Sequence, residues 1–97
     1  MNRSEALTQL NDSRKEIDRI DDEIIELIIK RTSLAEDIAT AKKVLRKDIE
    51  DSTREDYIQH KIKDIAKKKD ISEVSLTQIM KILTDLNKYE QEKVLRR

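Results

Sequence analysis

Up to Leu45 the apolar residues recur every three or four positions: Ile17, Ile20, Ile24, Leu27, Leu34, Ile38, Ala41 and Leu45. That alternation is the signature of a helix with a coiled-coil-like seam. It predicts one helix from about Ser4 to Leu45. At 1.5 Å per residue such a helix is roughly 60 Å long, more than the rest of its own chain can cover. Part of it must pack on something else, most simply a second copy. The seam has one gap, at Arg31, where the spacing calls for an aliphatic side chain. A guanidinium in a buried seam is costly unless an anion meets it. A protein carboxylate or an anionic ligand is therefore expected beside Arg31.

Two shorter helices follow. Arg46 to Glu50 is a polar connection, and Asp51-Ser52-Thr53-Arg54-Glu55 reads as a helix start, with Ser52 and Glu55 at capping-box spacing. The second helix is expected to run to about Lys68 with Tyr57, Ile58, Ile62, Ile65 and Ala66 facing inward. Lys67 to Lys69 suits its negative C-terminal end. Asp70 to Ser72 turns the chain. The third helix starts near Glu73 and turns Leu76, Ile79, Met80, Leu83 and Leu86 inward. The pattern predicts a single all-α domain over residues 1–97, with one very long helix and two shorter ones.

Polar residues interrupt the apolar faces at particular places. The stripe Leu76, Met80, Leu83 continues by the same spacing to Asn87 and Gln91, then to Val94. Asn87 and Gln91 are four apart and share a face. Arg54 precedes Ile58 and Ile62 at spacings of four and points the same way. On the first helix, Arg31 and Lys42 are close to three turns apart, on nearly one face and roughly 16 Å apart along the axis. Arg14 lies roughly 42 Å from Lys42, so the two cannot meet one small ligand within a chain. If two long helices pair antiparallel about a dyad near Ile24 or Ile25, Arg14 of one lands between Arg31 and Lys42 of the other. Two equivalent cationic pockets would result, each shared between chains. A simpler reading stands beside this one. Seam-edge Arg and Lys snorkel to solvent, and a buried Arg pairs with Glu55 or another acid. Asn87 alone fixes helix register, Asp51 and Ser52 are caps, His60 is solvated, and Tyr57 and Tyr89 pack.

Composition narrows the chemistry. Gly, Pro, Cys, Trp and Phe are absent from the 97 residues, where ordinary usage gives roughly seven Gly and five Pro. Nothing supplies left-handed turns cheaply or breaks a helix internally. Charged residues make up 43% at zero net charge, which gives no electrostatic case for nucleic acid. Without cysteine there is no disulfide, thiolate nucleophile or ordinary zinc site, and a single histidine argues against a metal site. No leader and no membrane-length apolar run are present, so a cytoplasmic protein is expected.

The motifs, taken in order, resemble the all-helical class of chorismate mutases across essentially the whole chain. Arg14-Lys15-Glu16-Ile17-Asp18-Arg19-Ile20-Asp21 looks like the family's opening signature. Arg31 and then Ala41-Lys42 follow at the family spacing. Asp51-Ser52-Thr53-Arg54-Glu55 resembles its second-helix motif of acid, two variable residues, Arg and Glu. Asn87 and Gln91 stand where the family has Ser or Asn and, four later, Gln or Glu. The resemblance implies an intertwined helical homodimer that isomerises the dianion chorismate to prephenate by a pericyclic rearrangement, without cofactor or metal. It implies that Arg14 of the partner chain and Arg31 clamp the carboxylates, and that Lys42 and Gln91 donate to the ether oxygen. It implies further that Glu55, helped by Asp51, takes the ring hydroxyl, while Arg54 and Asn87 support binding.

The chain departs from its relatives at Asp48-Ile49-Glu50, where many carry a proline, which predicts a freer loop. It also lacks the family's aromatic core residues on the third helix. Two other functions compete. One is an isochorismate-pyruvate lyase on the same scaffold, against which the full Asp51, Arg54, Glu55 motif argues. The other is a non-catalytic or designed helical oligomerisation module, in which Arg31→Leu would only stabilise the fold.

Overall fold

The computed structural model describes all of the chain, Met1–Arg97. It is entirely helical, in four segments: α1 Arg3–Ser33, α2 Ala35–Leu45, α3 Ser52–Lys69 and α4 Glu73–Leu95. No helix is long and apolar enough to cross a membrane. The expected long first helix is thus interrupted, at Leu34. That residue keeps right-handed helical angles, φ −71° and ψ −12°, but its N–H reaches Arg31 O, three residues back, at 3.3 Å. A side chain from elsewhere meets the same carbonyl. Asn87 Nδ2 donates to the same Arg31 carbonyl at 3.3 Å, and a polar group entering the backbone ladder is an established source of helix irregularity.

The remaining boundaries are set by polar caps. Asp51, not Ser52, is the N-cap of α3, accepting from Arg54 N at 3.1 Å. Ser72 caps α4 by accepting from Ser75 N at 3.1 Å. With no glycine available, α2 and α3 end on non-glycine residues in the left-handed region, Arg46 at φ 56° and Asp70 at φ 50°. Aspartate tolerates that conformation better than arginine does.

The chain divides into two compact units, Met1–Lys30 and Arg31–Arg97. The first is helical and buries none of its apolar side chains: Leu7, Leu10, Ile17, Ile20, Ile24, Ile25, Leu27 and Ile29 are all exposed. In the second unit α2 and α3 each pack on α4. Its core is thin and made of small or narrow contacts, Ala35 and Ala39 on α2 and Ile62 and Ala66 on α3. The alanines let α2 approach α4 closely, so the expected seam residues Leu34 and Ile38 do not form this core. Tyr57 and Ile65 on α3 and Ile79 on α4 also stay largely exposed, contrary to the inward faces expected. Each of these helices turns only a narrow strip toward its neighbour.

Candidate functional site

The end of α1, α2, the Arg46–Asp51 connection, α3 and α4 surround a cavity of about 370 Å³ within the second unit. Arg31, Lys42, Asp51, Arg54, Glu55, Asn87 and Gln91 all line it, with Leu34, Ile38 and Ile58 as the apolar wall. Seven of the eight residues singled out from the sequence are therefore brought together. Arg14 stands on α1 in the other unit, exposed.

The partners of the two seam cations decide between an ion-pair network and a binding site. Arg31 Nη1 donates to the carbonyl of Leu83 at 2.8 Å. Lys42 Nζ donates to Ile49 O at 2.7 Å and to Gln91 Oε1 at 3.1 Å. All three acceptors are neutral, and neither cation has a carboxylate within 4 Å. Glu55, one of the acids the simpler reading offers to Arg31, is held instead by Lys88 at 3.2 Å. Arg54 lies 5.0 Å from the Tyr57 ring centroid, a cation–π contact that also leaves its charge unanswered. An ammonium has three N–H groups and a guanidinium five. Lys42 keeps a spare donor and Arg31 several.

The lining carries four cations, Arg31, Lys42, Arg54 and Lys88, against two carboxylates, Asp51 and Glu55. Lys88 is answered by acids, while Arg31, Lys42 and Arg54 have no carboxylate partner in a partly desolvated space, where charge interactions are stronger than in water. An anionic ligand suits it.

The two buried amides are fully ordered by their neighbours. Asn87 is 8% exposed and Gln91 4%. Lys42 can only donate, so Gln91 turns Oε1 toward it. Gln91 Nε2 then donates to Asn87 Oδ1 at 2.7 Å, and Asn87 Nδ2 donates to Arg31 O. No buried side-chain polar atom lacks a partner. Gln91 Nε2 keeps its second hydrogen, so both Lys42 and Gln91 have a donor to offer.

One cavity residue escaped the sequence reading. Lys88 bridges Glu50 Oε2 at 3.0 Å and Glu55, and its ammonium is pushed above the usual lysine range by the bond to Glu50 and then by Glu55, against some desolvation. Glu50 is held below the usual carboxylate range by the hydrogen bond it shares with Glu55 and by Lys88. The sequence signal for Lys88 was its place one residue after Asn87 and three before Gln91. The connection expected to be free is tied at two points, Ile49 O to Lys42 and Glu50 to Lys88. No three His, Asp or Glu side chains gather in a way that would hold a metal ion.

Comparison with known proteins shows the family. Residues 13–92 match the family described as chorismate mutase type II. A chorismate mutase of Methanocaldococcus jannaschii is 38% identical over 89 residues, covering 92% of this chain and 90% of that protein. No solved structure matches at comparable significance. The matched span takes in every lining residue of the cavity and Arg14 as well, and the chain belongs to the chorismate mutase type II family.

Proposed function

We propose that this chain isomerises chorismate to prephenate in the cavity of the second unit. The observation that carries the reading is the pair Arg31 and Lys42, which face the cavity with only neutral partners. A volume of about 370 Å³ falls within the usual range for small-molecule sites, roughly 300–1,000 Å³. The reaction is intramolecular: one C–O bond breaks, one C–C bond forms, and no proton or electron leaves the molecule. The protein has therefore to hold a compact conformer and to stabilise charge.

Arg31 supplies a planar fork for one carboxylate, and Arg54 adds positive potential at the α3 end of the cavity. Leu34, Ile38 and Ile58 confine the ring and exclude water. As the ether C–O bond stretches, negative charge gathers on its oxygen. The spare N–H of Lys42 and the second N–H of Gln91 converge on that charge from a preorganised frame. Glu55, supported by Asp51, accepts from the ring hydroxyl and orients the substrate.

The second carboxylate falls to Arg14 of a second copy. The apolar face of Met1–Lys30, wholly exposed in one chain, is the surface a homodimer would bury, since exposed apolar patches of that extent mark interaction sites. Antiparallel pairing of two such faces carries each Arg14 toward the partner's cavity.

The test is to mix the protein with chorismate and follow the loss of its ultraviolet absorbance, with the product identified by chromatography. Saturable formation of prephenate, abolished by Lys42→Ala in a folded helical protein, is expected. Folded protein without turnover refutes the assignment, and release of pyruvate from isochorismate instead would make it a lyase.

A further inference from the structure

Lys88 differs from the other cavity cations in that its charge is already answered. Its Nζ lies 3.0 Å from Glu50, 3.2 Å from Glu55 and 3.9 Å from Asp85. Asp85 is shared with Lys81 at 2.9 Å. Two hydrogen bonds and a third carboxylate nearby leave an ammonium with three N–H groups little to offer an incoming anion. Its side chain is 22% exposed and that of Glu55 33%, whereas Glu50 is 67% exposed, so the bond to Glu55 is the more sheltered of the two. The arrangement also spans elements: Glu50 belongs to the connection before α3, Glu55 to the first turn of α3, and Lys88 to α4.

We infer that Lys88 is a positioning residue, which, anchored by Glu50, holds the Glu55 carboxylate at the cavity wall and away from the cations that bind the substrate. The inference rests on the mutase reading for what Glu55 touches. Its physical basis is competition. Glu55 shares a cavity with three cations that have no carboxylate partner, Arg31, Lys42 and Arg54. A glutamate side chain freed from Lys88 has the length and rotamer freedom to swing toward them. It would then act as an internal carboxylate on the groups that must bind the substrate's own. Lys88 keeps Glu55 beside the anion site without letting it fill that site. Glu50 supplies the second anchor, so the ammonium is fixed from the connection as well as from its own helix.

Lys88→Met, which keeps the length and removes the charge, is expected to raise KM for chorismate about 10-fold or more, the scale of one charge-assisted contact. Its effect on kcat should be smaller. Lys88→Arg should recover most of the loss. In a Glu55→Gln background the same Lys88→Met change should alter KM by less than about twofold, because no carboxylate remains to intrude. Lys81→Met, which removes an exposed neighbour on α4, should leave kinetics unchanged, and circular dichroism should show each variant folded. Equal KM for Lys88→Met and the starting protein overturns the inference while the mutase reading stands. So does an equal KM increase in both backgrounds, which would make Lys88 a direct substrate contact or a purely structural one. Absence of turnover in the starting protein overturns the mutase reading and this inference together.

Discussion

Replacing Arg31 with leucine should separate stability from activity. In the folded chain Arg31 makes one side-chain hydrogen bond, to Leu83 O at 2.8 Å, and meets no carboxylate. Losing a hydrogen bond to a charged donor costs roughly 1.5–3 kcal/mol, toward the low end for a group that is only partly buried. Two terms oppose it. A partly desolvated charge without a counter-ion is removed, and a leucine placed beside Leu34 and Ile38 gains about half of the 1.5–3 kcal/mol of full burial. The sum lies within about 1 kcal/mol of zero, a shift of less than about 8 °C in Tm for a domain of this size. Activity should behave otherwise. Removing one partner of a hydrogen-bonded charge pair costs about 2–5 kcal/mol, or roughly 30-fold to several thousand-fold in kcat/KM. Thermal unfolding by far-ultraviolet circular dichroism measures the first quantity and chorismate consumption the second. Retention of kcat/KM within tenfold (~1.4 kcal/mol) would refute the assignment of Arg31 to substrate. A loss of stability above about 3 kcal/mol would show it to be structural.

The remaining predictions concern sharing, pH and turns. Mixing inactive Arg14→Ala and Arg31→Ala proteins after unfolding and refolding should restore about a quarter of full activity per chain, since half the dimers are mixed and each has one intact site; no recovery means that Arg14 serves its own chain. Turnover should be nearly flat between about pH 6 and 8, because amide Gln91 donates at any pH and no histidine lines the cavity; a steep fall there would count against Gln91. Lys88 has a raised pKa in the fold, so its contribution to stability is complete below the ordinary value of 10.5 and disappears as pH climbs through the higher folded value. Glu50, lowered, contributes above its ordinary 4.5 and loses that contribution as pH falls. Denaturant midpoints across that range should fall at both ends in the native protein, and less so in Lys88→Met. Arg46→Gly, at φ 56°, should raise stability by about 0.5–1 kcal/mol without affecting turnover.

Local punctuation was easy to read in this chain. Asp51 and Ser72 mark helix starts as polar residues before apolar periods, and the ends of α3 and α4 fall close to where the pattern stops. The gap at Arg31 was legible as a site because one cation broke an otherwise regular stripe. What met that cation was not legible, since choosing between Glu55 and an outside anion requires knowing that Lys88 already holds Glu55. The break at Leu34 was equally hidden. Thr32 and Ser33 precede it, but such residues also occur inside unbroken helices, and the Asn87 contact to the Arg31 carbonyl spans 56 residues. The apolar residues of α3 were assigned to a broad inner face, whereas α4 covers only the strip of Ile62 and Ala66. Periodicity reports which residues prefer burial, not how much surface a neighbour covers.

The row Lys42, Gln91, Asn87, Arg31 carbonyl has a direction. At one end stands a group that only donates, at the other a group that only accepts, and the two amides between them can be read one way only. Such a row carries a parity. It stays consistent when either end is exchanged for another of its kind, as in Lys42→Arg. An acceptor at position 42 would leave two acceptors facing each other somewhere along the row, wherever the amides turned. With both amides turned, the conflict would surface at the Arg31 carbonyl, at the other end of the row. Positions 42, 87 and 91 are therefore constrained as a set, and a substitution that exchanges donor for acceptor at one of them is tolerated only with a matching change elsewhere in the row.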